Sequence, residues 1–570
     1  MHDASDFLHP KTDWQRRYEA LRASFVERLP ASAVAERFGY KPLYVHLLRH
    51  WFRTGKLDFA GPPRQERRTK VPRAVRQLIC AWRRQNLSAG QIAELLTEDG
   101  SDISVRTVER VLAEEGFPRL PRRTRTKIGR TVKGAEVPEV SRAISLAQVP
   151  GQRFDCAAAG VFLFAPFLTQ LGITEVVRKA GLPGSEVIPA CSYLLSMLAL
   201  KLLGTERYAH VGDHSFDPGL GLFAGLNVLP KCTALSTYSH RLGTSQIQAL
   251  QHTFVRHAAK LGLYDGKVVN LDLHTVPHYG EGSVVEKHWA GARGEVMKGA
   301  LTLFAQDAQT RLLLYSAADI RRSEADEQVT EFLSFWRHVR RGARPTFVFD
   351  SRFTTYPKLA GLEDAGIRFI TLRRRGEGLL RAVDSLEGWK TIHIPHEKRK
   401  FPNPQVHDST VTLRGYEKSL RQVIVGGNGH EKPAFLISND FESPVELLVG
   451  NYARRWRVEN GIAEAVKFFH LNALSSSILV KVGFDVALTM IADTLYTMLA
   501  RRLRGFEECD APKLFRHFVE GKGTVEIRGS RVQVTFPRRA HNPILRDAGW
   551  ANLPISLPAI GGAELDLRFQ

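Results

Sequence analysis

From Lys267 to Arg375 the chain spells out a fixed series of short apolar runs and amphipathic segments, and this series constrains the fold more than any other feature. GKVVNLDLHTV reads as a strand ending near Asp272. MKGALTLFAQDAQTRLLLYSAAD reads as two strands joined by a polar turn, a hairpin. SEADEQVTEFLSFWRHVRRG reads as a helix capped by Ser323, and PTFVFDS as a short buried strand ending at Asp350. TTYPKLAGLEDAGI is mainly helix, and RFITLRRR is a strand. The resulting order, β-β-β-α-β-α-β, demands a mixed sheet with helices packed on it.

That is the order of a ribonuclease H-like core. There the first and fourth strands are neighbours, so Asp272 and Asp350 stand side by side. An isolated aspartate at a strand end is usually a loop cap. Two of them in this topology have a chemical use: with a third carboxylate they can hold two Mg2+ ions about 3.5–4 Å apart. Magnesium takes hard oxygen ligands and keeps several waters. One ion then activates a water or a 3′-hydroxyl, and the other stabilises the leaving oxygen.

The remaining composition narrows the partner. The 570 residues are enough for three or four domains. Lys and Arg exceed Asp and Glu by 80 to 59, a net charge of +21. A surplus of this size points to nucleic acid, where neutralising phosphates releases counterions. The five cysteines form no CxxC pair, which suggests neither a zinc site nor a disulfide framework and fits a reducing cytosol. MHDASDFLHPKTDWQRR has no apolar signal-peptide core. The two greasiest segments, Val187–Gly204 and Phe484–Ala500, are interrupted by charge or proline and read as buried helices rather than membrane spans.

Two helix-turn-helix patterns open the chain, a unit over 1–65 and a second over 66–118. In the first, LPASAVAERFG is a helix that Ser32 can cap and Gly39 can end, and YKPLYVHLLRHWFRTG follows with Leu43, Leu47, Leu48 and Trp51 at helical spacing. In the second, ISVRTVERVLAEEGF starts at Ser104, turns Val105, Val108, Val111 and Leu112 inward, and leaves Arg106, Thr107 and Arg110 outward. Such a helix fits a major groove. Three-helix packing units look alike at this level, so the basic charge tips the balance. RLPRRTRTKIGRTVK, within a linker over 119–149, has seven basic residues in fifteen and no acid, and reads as an extended arm along phosphates. Lys41, Arg106, Thr107, Arg110, Arg122, Arg123 and Arg125 are the candidate DNA-binding residues.

Residues 150–265 read as a helical region with TALSTYS, Thr233–Ser239, as a loop. The core occupies 266–375 and resumes over 434–505. Between Asp350 and Glu459 lie 108 residues, more than a core needs, and the excess over 376–433 alternates apolar and polar as a β-rich insertion does. In it, HEKRK can grip phosphate or be a solvated turn. The C-terminal region, 506–570, contains GTVEIRGSRVQVTFPRR, a hairpin turning at RGS. NYARRWRVENGIAEAVKFFH reads as one amphipathic helix on which Tyr452, Arg455 and Glu459 share a face, and helix continues through Arg504. Taken alone, Arg455 and Glu459 are an ordinary i, i+4 pair.

LDLHTVPHYG, then FVFDSRFTTYPKLAGLEDAGIRFITLRRR, then FLISNDFESPVELLVGNYARRWRVEN, resemble the three catalytic blocks of bacterial insertion-sequence DDE transposases, and most of all the insertion-sequence-four-like branch with its Tyr-x2-Arg-x3-Glu-x6-Lys signature. The resemblance runs from about Lys267 to His470. It implies a catalytic, metal-binding triad of Asp272, Asp350 and Glu459, with Mg2+ or Mn2+, two ions, as cofactor. It implies Tyr452 and Arg455 at the phosphate beside the scissile bond. The signature lysine falls at Val466, and Lys467 stands one residue late. His274 and His278 follow the first aspartate as near-site hydrogen-bonding candidates, with a metal role as the lesser alternative. In this branch the insertion handles a hairpin intermediate, which makes Trp389 a candidate to stack on a flipped base. A tryptophan covering a small β core is an equal reading.

The expected protein is thus a multidomain α+β chain of helix-turn-helix units, helical platform, interrupted ribonuclease H-like core and C-terminal region. It would be a bacterial, cytoplasmic, nucleoid-associated transposase acting on double-stranded DNA as a homodimer, by cut-and-paste, away from membranes. The alternatives are a catalytically inactive DNA-binding regulator descended from one, and a stand-alone metal-dependent nuclease.

Overall fold

The computed structural model describes residues 10, 12–55, 71–84, 87–98, 101, 103–117, 139–149, 151–278, 286–290, 294–339, 344–353, 355–395, 401–427, 429, 431–471, 479–550, 553, 556–561 and 563–570. They fall into two compact units, Met1–Gln77 and Leu78–Gln570.

The first unit holds α1 (Asp13–Phe25), α2 (Ala31–Phe38) and α3 (Pro42–Arg53). Its core is small: Ala20, Ala23, Val34, Ala35, Phe38 and Val45. Gly39 ends α2 at φ +69°, a conformation that costs a residue without a Cβ little. Ser32 does not cap this helix; Pro30 occupies that position and no side chain bonds the helix end. The stripe of α3 also differs from the predicted one. Val45 and Leu48 are buried, while Leu43 is 74% and Leu47 41% exposed. The helix carries two overlapping apolar stripes, and the alanines of α1 and α2 accept the smaller one.

The second unit begins within a helix over Arg73–Arg84 and continues with α4 (Ala89–Glu98) and α5 (Val105–Glu114). Ser104 caps α5 as expected, its Oγ accepting from Thr107 N at 3.4 Å. Val108, Val111 and Leu112 are buried, but Val105, at the first helical position, is 44% exposed and does not face inward. The basic segment Arg119–Lys133, with Arg122, Arg123 and Arg125, lies outside the described residues, as does HEKRK.

After β1 (Arg153–Cys156) come α6 (Ala165–Gln170), α7 (Ile173–Lys179), α8 (Ala190–Leu202), α9 (Pro218–Phe223), α10 (Cys232–Tyr238) and α11 (Thr244–Lys260). The polar run Thr233–Ser239 is therefore mostly helix, not loop. Ser236 and Thr237 donate their hydroxyls to the carbonyl of Thr233, and Leu235 and Tyr238 are buried. Hydroxyls that compete with helix in open chain are here spent on the helix's own backbone.

The main sheet is built from β2 (Val268–Pro277), β3 (Lys287–Ala290), β4 (Glu295–Asp307), β5 (Leu313–Ile320), β6 (Thr346–Val348), β7 (Arg368–Leu372), β8 (Lys390–Thr391), β9 (Gln405–Leu413), β10 (Tyr416–Gly426) and β11 (Ala434–Ser438). The strand order is β3-β4-β2-β6-β7-β11-β10-β9-β8, with β5 also on β4. β2 lies antiparallel to β4 and parallel to β6, so the first and fourth strands of the predicted series are neighbours. The long interval after Asp350 does not form a separate sheet: β10 pairs with β11, and the main sheet simply continues. Helix α12 (Gln328–Val339) starts later than predicted, with Ser323 in a short 3-10 turn instead of a cap. Its Phe332 and Trp336 pack near Phe347 and Tyr315 on one face of the sheet. Helix α13 (Tyr356–Asp364) precedes β7.

The opposite face is covered by α14 (Val445–Ala453), whose Leu448 and Val449 join Val348, Ile370, Val423 and Leu436 in a second core. Then α15 (Trp456–Phe468) and α16 (Leu479–Arg502) follow. Two corrections fall here. NYARRWRVENGIAEAVKFFH is two helices, not one, with a break at Arg454 and Arg455 where the backbone bonds tighten to i→i−3. The helix does not run on through Arg504 either, because α15 ends at Phe468 and His470 takes φ +53°. α16 is long and apolar enough to cross a membrane by length and composition, yet 78% of that window is buried inside the fold. The predicted hairpin is present as β12 (Gly523–Arg528) and β13 (Arg531–Phe536), in a sheet ordered β1-β12-β13-β14 with β14 at Glu564–Phe569. None of the five cysteines forms a disulfide.

Candidate active site

β2 and β6 set the first two carboxylates. Their last register pair is Asn270 with Val348. Two residues beyond that pair come Asp272 and Asp350, near enough for the Asp350 charge to act on Asp272. Asp272 is not at a strand end, since β2 runs on to Pro277. Its flank is open because β6 stops at Val348. Asn270, fully buried, donates its Nδ2 to the carbonyl of Arg454 at 3.4 Å and so ties the helix break to the sheet.

That break delivers the third group. Arg455 occupies the N-cap position of α15 without a side-chain bond to the helix end, and Glu459 lies in the first turn, where the helix dipole favours an anion. Arg455 Nη1 donates to Asp272 Oδ1 at 3.0 Å, and Nη2 donates to Glu459 Oε1 at 3.1 Å. The guanidinium carbon stands 5.9 Å from the centroid of the Tyr452 ring. Ser351 Oγ donates to Asp350 Oδ1 at 3.2 Å.

The electrostatics are crowded. Burial pushes the Asp272 carboxyl up to about 6; Arg455 pulls it back, and Glu459 and Asp350 push it further up. Burial works against the Arg455 charge, but Asp272, Tyr452, Glu459 and Asp350 outweigh it and its pKa is raised. Burial also holds the Tyr452 phenol protonated, up to about 12. The carboxylates are the hard oxygen donors that a divalent ion prefers. Among the described residues, however, no three His, Cys, Asp or Glu side chains stand together as a group that could hold a metal ion. What Asp272 and Glu459 share is the arginine.

Asp350, Tyr452 and Arg455 line the wall of a cavity of about 1150 Å3. Its other lining residues include Arg352, Arg373, Arg374, Arg375, Lys432 and Arg454, with Phe401 and Trp456 as aromatic surfaces and Glu431 as the opposing charge. This basic wall was not singled out from the sequence. The available signal was the triple arginine directly after a buried strand, one strand over from Asp350.

The other candidates are placed differently. Lys467 is exposed on α15, and the carboxylate it acts on is Glu464. Trp389 is half-buried, with its Nε1 donating to Leu386 O at 3.0 Å and its ring against His407; it does not line the cavity. His274 lies edge-on to Phe304, and burial lowers the pKa of His278. Lys41 is exposed at the N-terminus of α3 and lines a hollow of about 390 Å3 with Asp13, Arg17, Tyr40 and Tyr44. Arg106 and Arg110 are exposed on α5, Arg110 lying 3.9 Å from Glu114, whereas Thr107 turns its hydroxyl onto Ser104 at 3.0 Å.

Residues 265–493 match the family described as the transposase DDE domain. The matched stretch contains the whole constellation of Asp272, Asp350, Tyr452, Arg455 and Glu459. No curated protein matches the chain.

Proposed function

We propose that the chain is a DNA transposase of the insertion-sequence-four-like branch. It binds the terminal inverted repeats of its element and cuts and joins strands by a cut-and-paste route on a ribonuclease H-like core. The observation that carries this reading is the meeting of Asp272 and Glu459, from a strand and a helix, on one arginine beside Asp350, at the edge of a basic cavity inside a matched transposase domain.

Asp272, Asp350 and Glu459 would hold Mg2+ or Mn2+, two ions. Bound there, the metal supplies the activated water or 3′-hydroxyl and stabilises the leaving oxygen. The protein supplies the rest. Arg352 and Arg373–Arg375 neutralise phosphates along the cavity wall and so align a strand with Asp350. Arg455 offers a planar fork of donors to a phosphate. Tyr452 keeps its proton and can donate it to a phosphate oxygen. Lys41, Arg106 and Arg110 serve the helix-turn-helix units on the duplex ends, whose pairing calls for a homodimer on DNA in the bacterial cytoplasm.

Asp350→Asn tests the reading. With Mg2+ and the DNA flanking the gene, resolved on a denaturing gel, the variant loses cleavage while end binding in a mobility-shift assay stays near wild type. A variant that still cuts sinks the assignment.

A further inference from the structure

Resting on the triad reading above, we infer that Arg455 is the built-in counter-ion of the metal-free site. It fills the space that a divalent cation takes between Asp272 and Glu459, and a cation enters only as the guanidinium swings out into the basic cavity.

Three observations carry this. First, Arg455 uses two different nitrogens on two carboxylates from two different elements, at 3.0 and 3.1 Å. That is the bridging a cation would perform. Magnesium binds oxygen at about 2.0–2.1 Å with near-octahedral demands, so guanidinium and metal cannot share those oxygens. Second, Arg455 is ion-paired with Asp272 and Glu459 and also feels the charge of Asp350, one cation against three carboxylates. One positive charge does not saturate the site. Third, an exit exists. Arg455 itself lines the cavity with Arg352 and Arg373–Arg375. The carboxylates are its anionic partners in this structure. A phosphate in the cavity is a rival partner. Metal entry and the release of a phosphate-binding arginine thus become one event, and the active site charges only when both ligands are at hand.

The test needs no DNA. The full-length protein is titrated with Mn2+ alone, and free Mn2+ is followed by electron paramagnetic resonance. Wild type binds weakly. Arg455→Met binds tighter by about tenfold or more, since losing a competing ion pair is worth at least about one such factor. Arg455→Lys, which keeps the charge but not the fork, falls between and serves if Arg455→Met does not fold. Arg457→Met removes the same charge two residues away, outside the cavity lining, and stays near wild type. Asp272→Asn removes Mn2+ binding at the site, both the weak binding of wild type and the tighter binding of Arg455→Met.

Equal affinities for wild type, Arg455→Met and Arg455→Lys, with Asp272→Asn still losing Mn2+, overturn the counter-ion role and leave the triad standing. A gain from Arg457→Met as large as that from Arg455→Met reduces the effect to long-range charge and also overturns it. An Asp272→Asn protein that binds Mn2+ like wild type instead removes the triad reading itself.

Discussion

The two ends of α15 are held by the same kind of contact, a cation on a carboxylate, and they are built for opposite purposes. At the C-terminal end Lys201 is buried, its side chain 5% exposed. It donates to the carbonyl of Phe469 at 2.8 Å and to Asp485 Oδ2 at 2.8 Å. Tyr208 OH donates to the other oxygen of Asp485 at 2.8 Å. Charges balance one to one, and the cation sits where the helix dipole favours it. At the N-terminal end one arginine faces three carboxylates beside an open cavity. The difference shows which end is structure and which is chemistry. A balanced, closed ion pair fixes a helix axis. An overcharged, open one stores a demand for a further cation.

The largest effect expected from this contrast is at the closed end. Lys201→Met leaves Asp485 buried without its partner, and breaking a buried pair costs about 3–5 kcal/mol. Calorimetry should show the transition of this unit moving down by several degrees. Replacing both partners, Lys201→Met with Asp485→Leu, should recover much of the loss, because two apolar groups need no counter-charge. A Lys201→Met protein as stable as wild type would erase the distinction between the two ends.

At the open end the sign reverses. Burial holds the Asp272 carboxyl up to about 6, above the unfolded value of about 3.9. Between about pH 4 and 6 the folded protein therefore keeps a proton that the unfolded chain has lost, and stability falls as pH rises through that window. Asp272→Asn removes this penalty. Without metal it should be more stable than wild type at pH 7 by about 1–2 kcal/mol, and the gap should close as pH falls toward about 4. Arg455 keeps Glu459 as a partner in this variant. Unfolding curves at the two pH values decide it: a loss of stability at pH 7 would mean that the site is not overcharged.

The contrast was half visible in the amino-acid order. Asp272 and Asp350 could be placed side by side because buried parallel strands read as apolar runs whose succession fixes the neighbours. Tyr452, Arg455 and Glu459 could be grouped because they recur at helical intervals. What stayed hidden depends on contacts distant in the chain. Nothing in NYARRWR marks a helix break, and the Asn270 side chain that reaches across from β2 to the Arg454 carbonyl at that break is distant in the chain. Lys201 looked like one charge interrupting an apolar helix, and only folding brings it to Phe469 and Asp485. The outward turn of Leu43 and Leu47 was hidden for a related reason. Two apolar stripes overlap on α3, and the alanines of its neighbours choose between them.

The smallest expected effect tests the comparison most sharply. Glu459 is 54% exposed and pairs with Arg455 at i, i+4, the geometry of countless surface pairs. Such a pair, even with the favourable dipole at a helix start, is worth under about 1 kcal/mol. Glu459→Gln should therefore unfold within that margin of wild type. If the glutamate were there to stabilise α15, the substitution would cost some stability and leave the chemistry alone. If it is there for a metal ion, stability should hardly move while cleavage of the flanking DNA disappears. A Glu459→Gln protein that melts like wild type and still cuts DNA would return the residue to the surface pair that its spacing first suggests, and would take with it the argument that this end of the helix is built for chemistry.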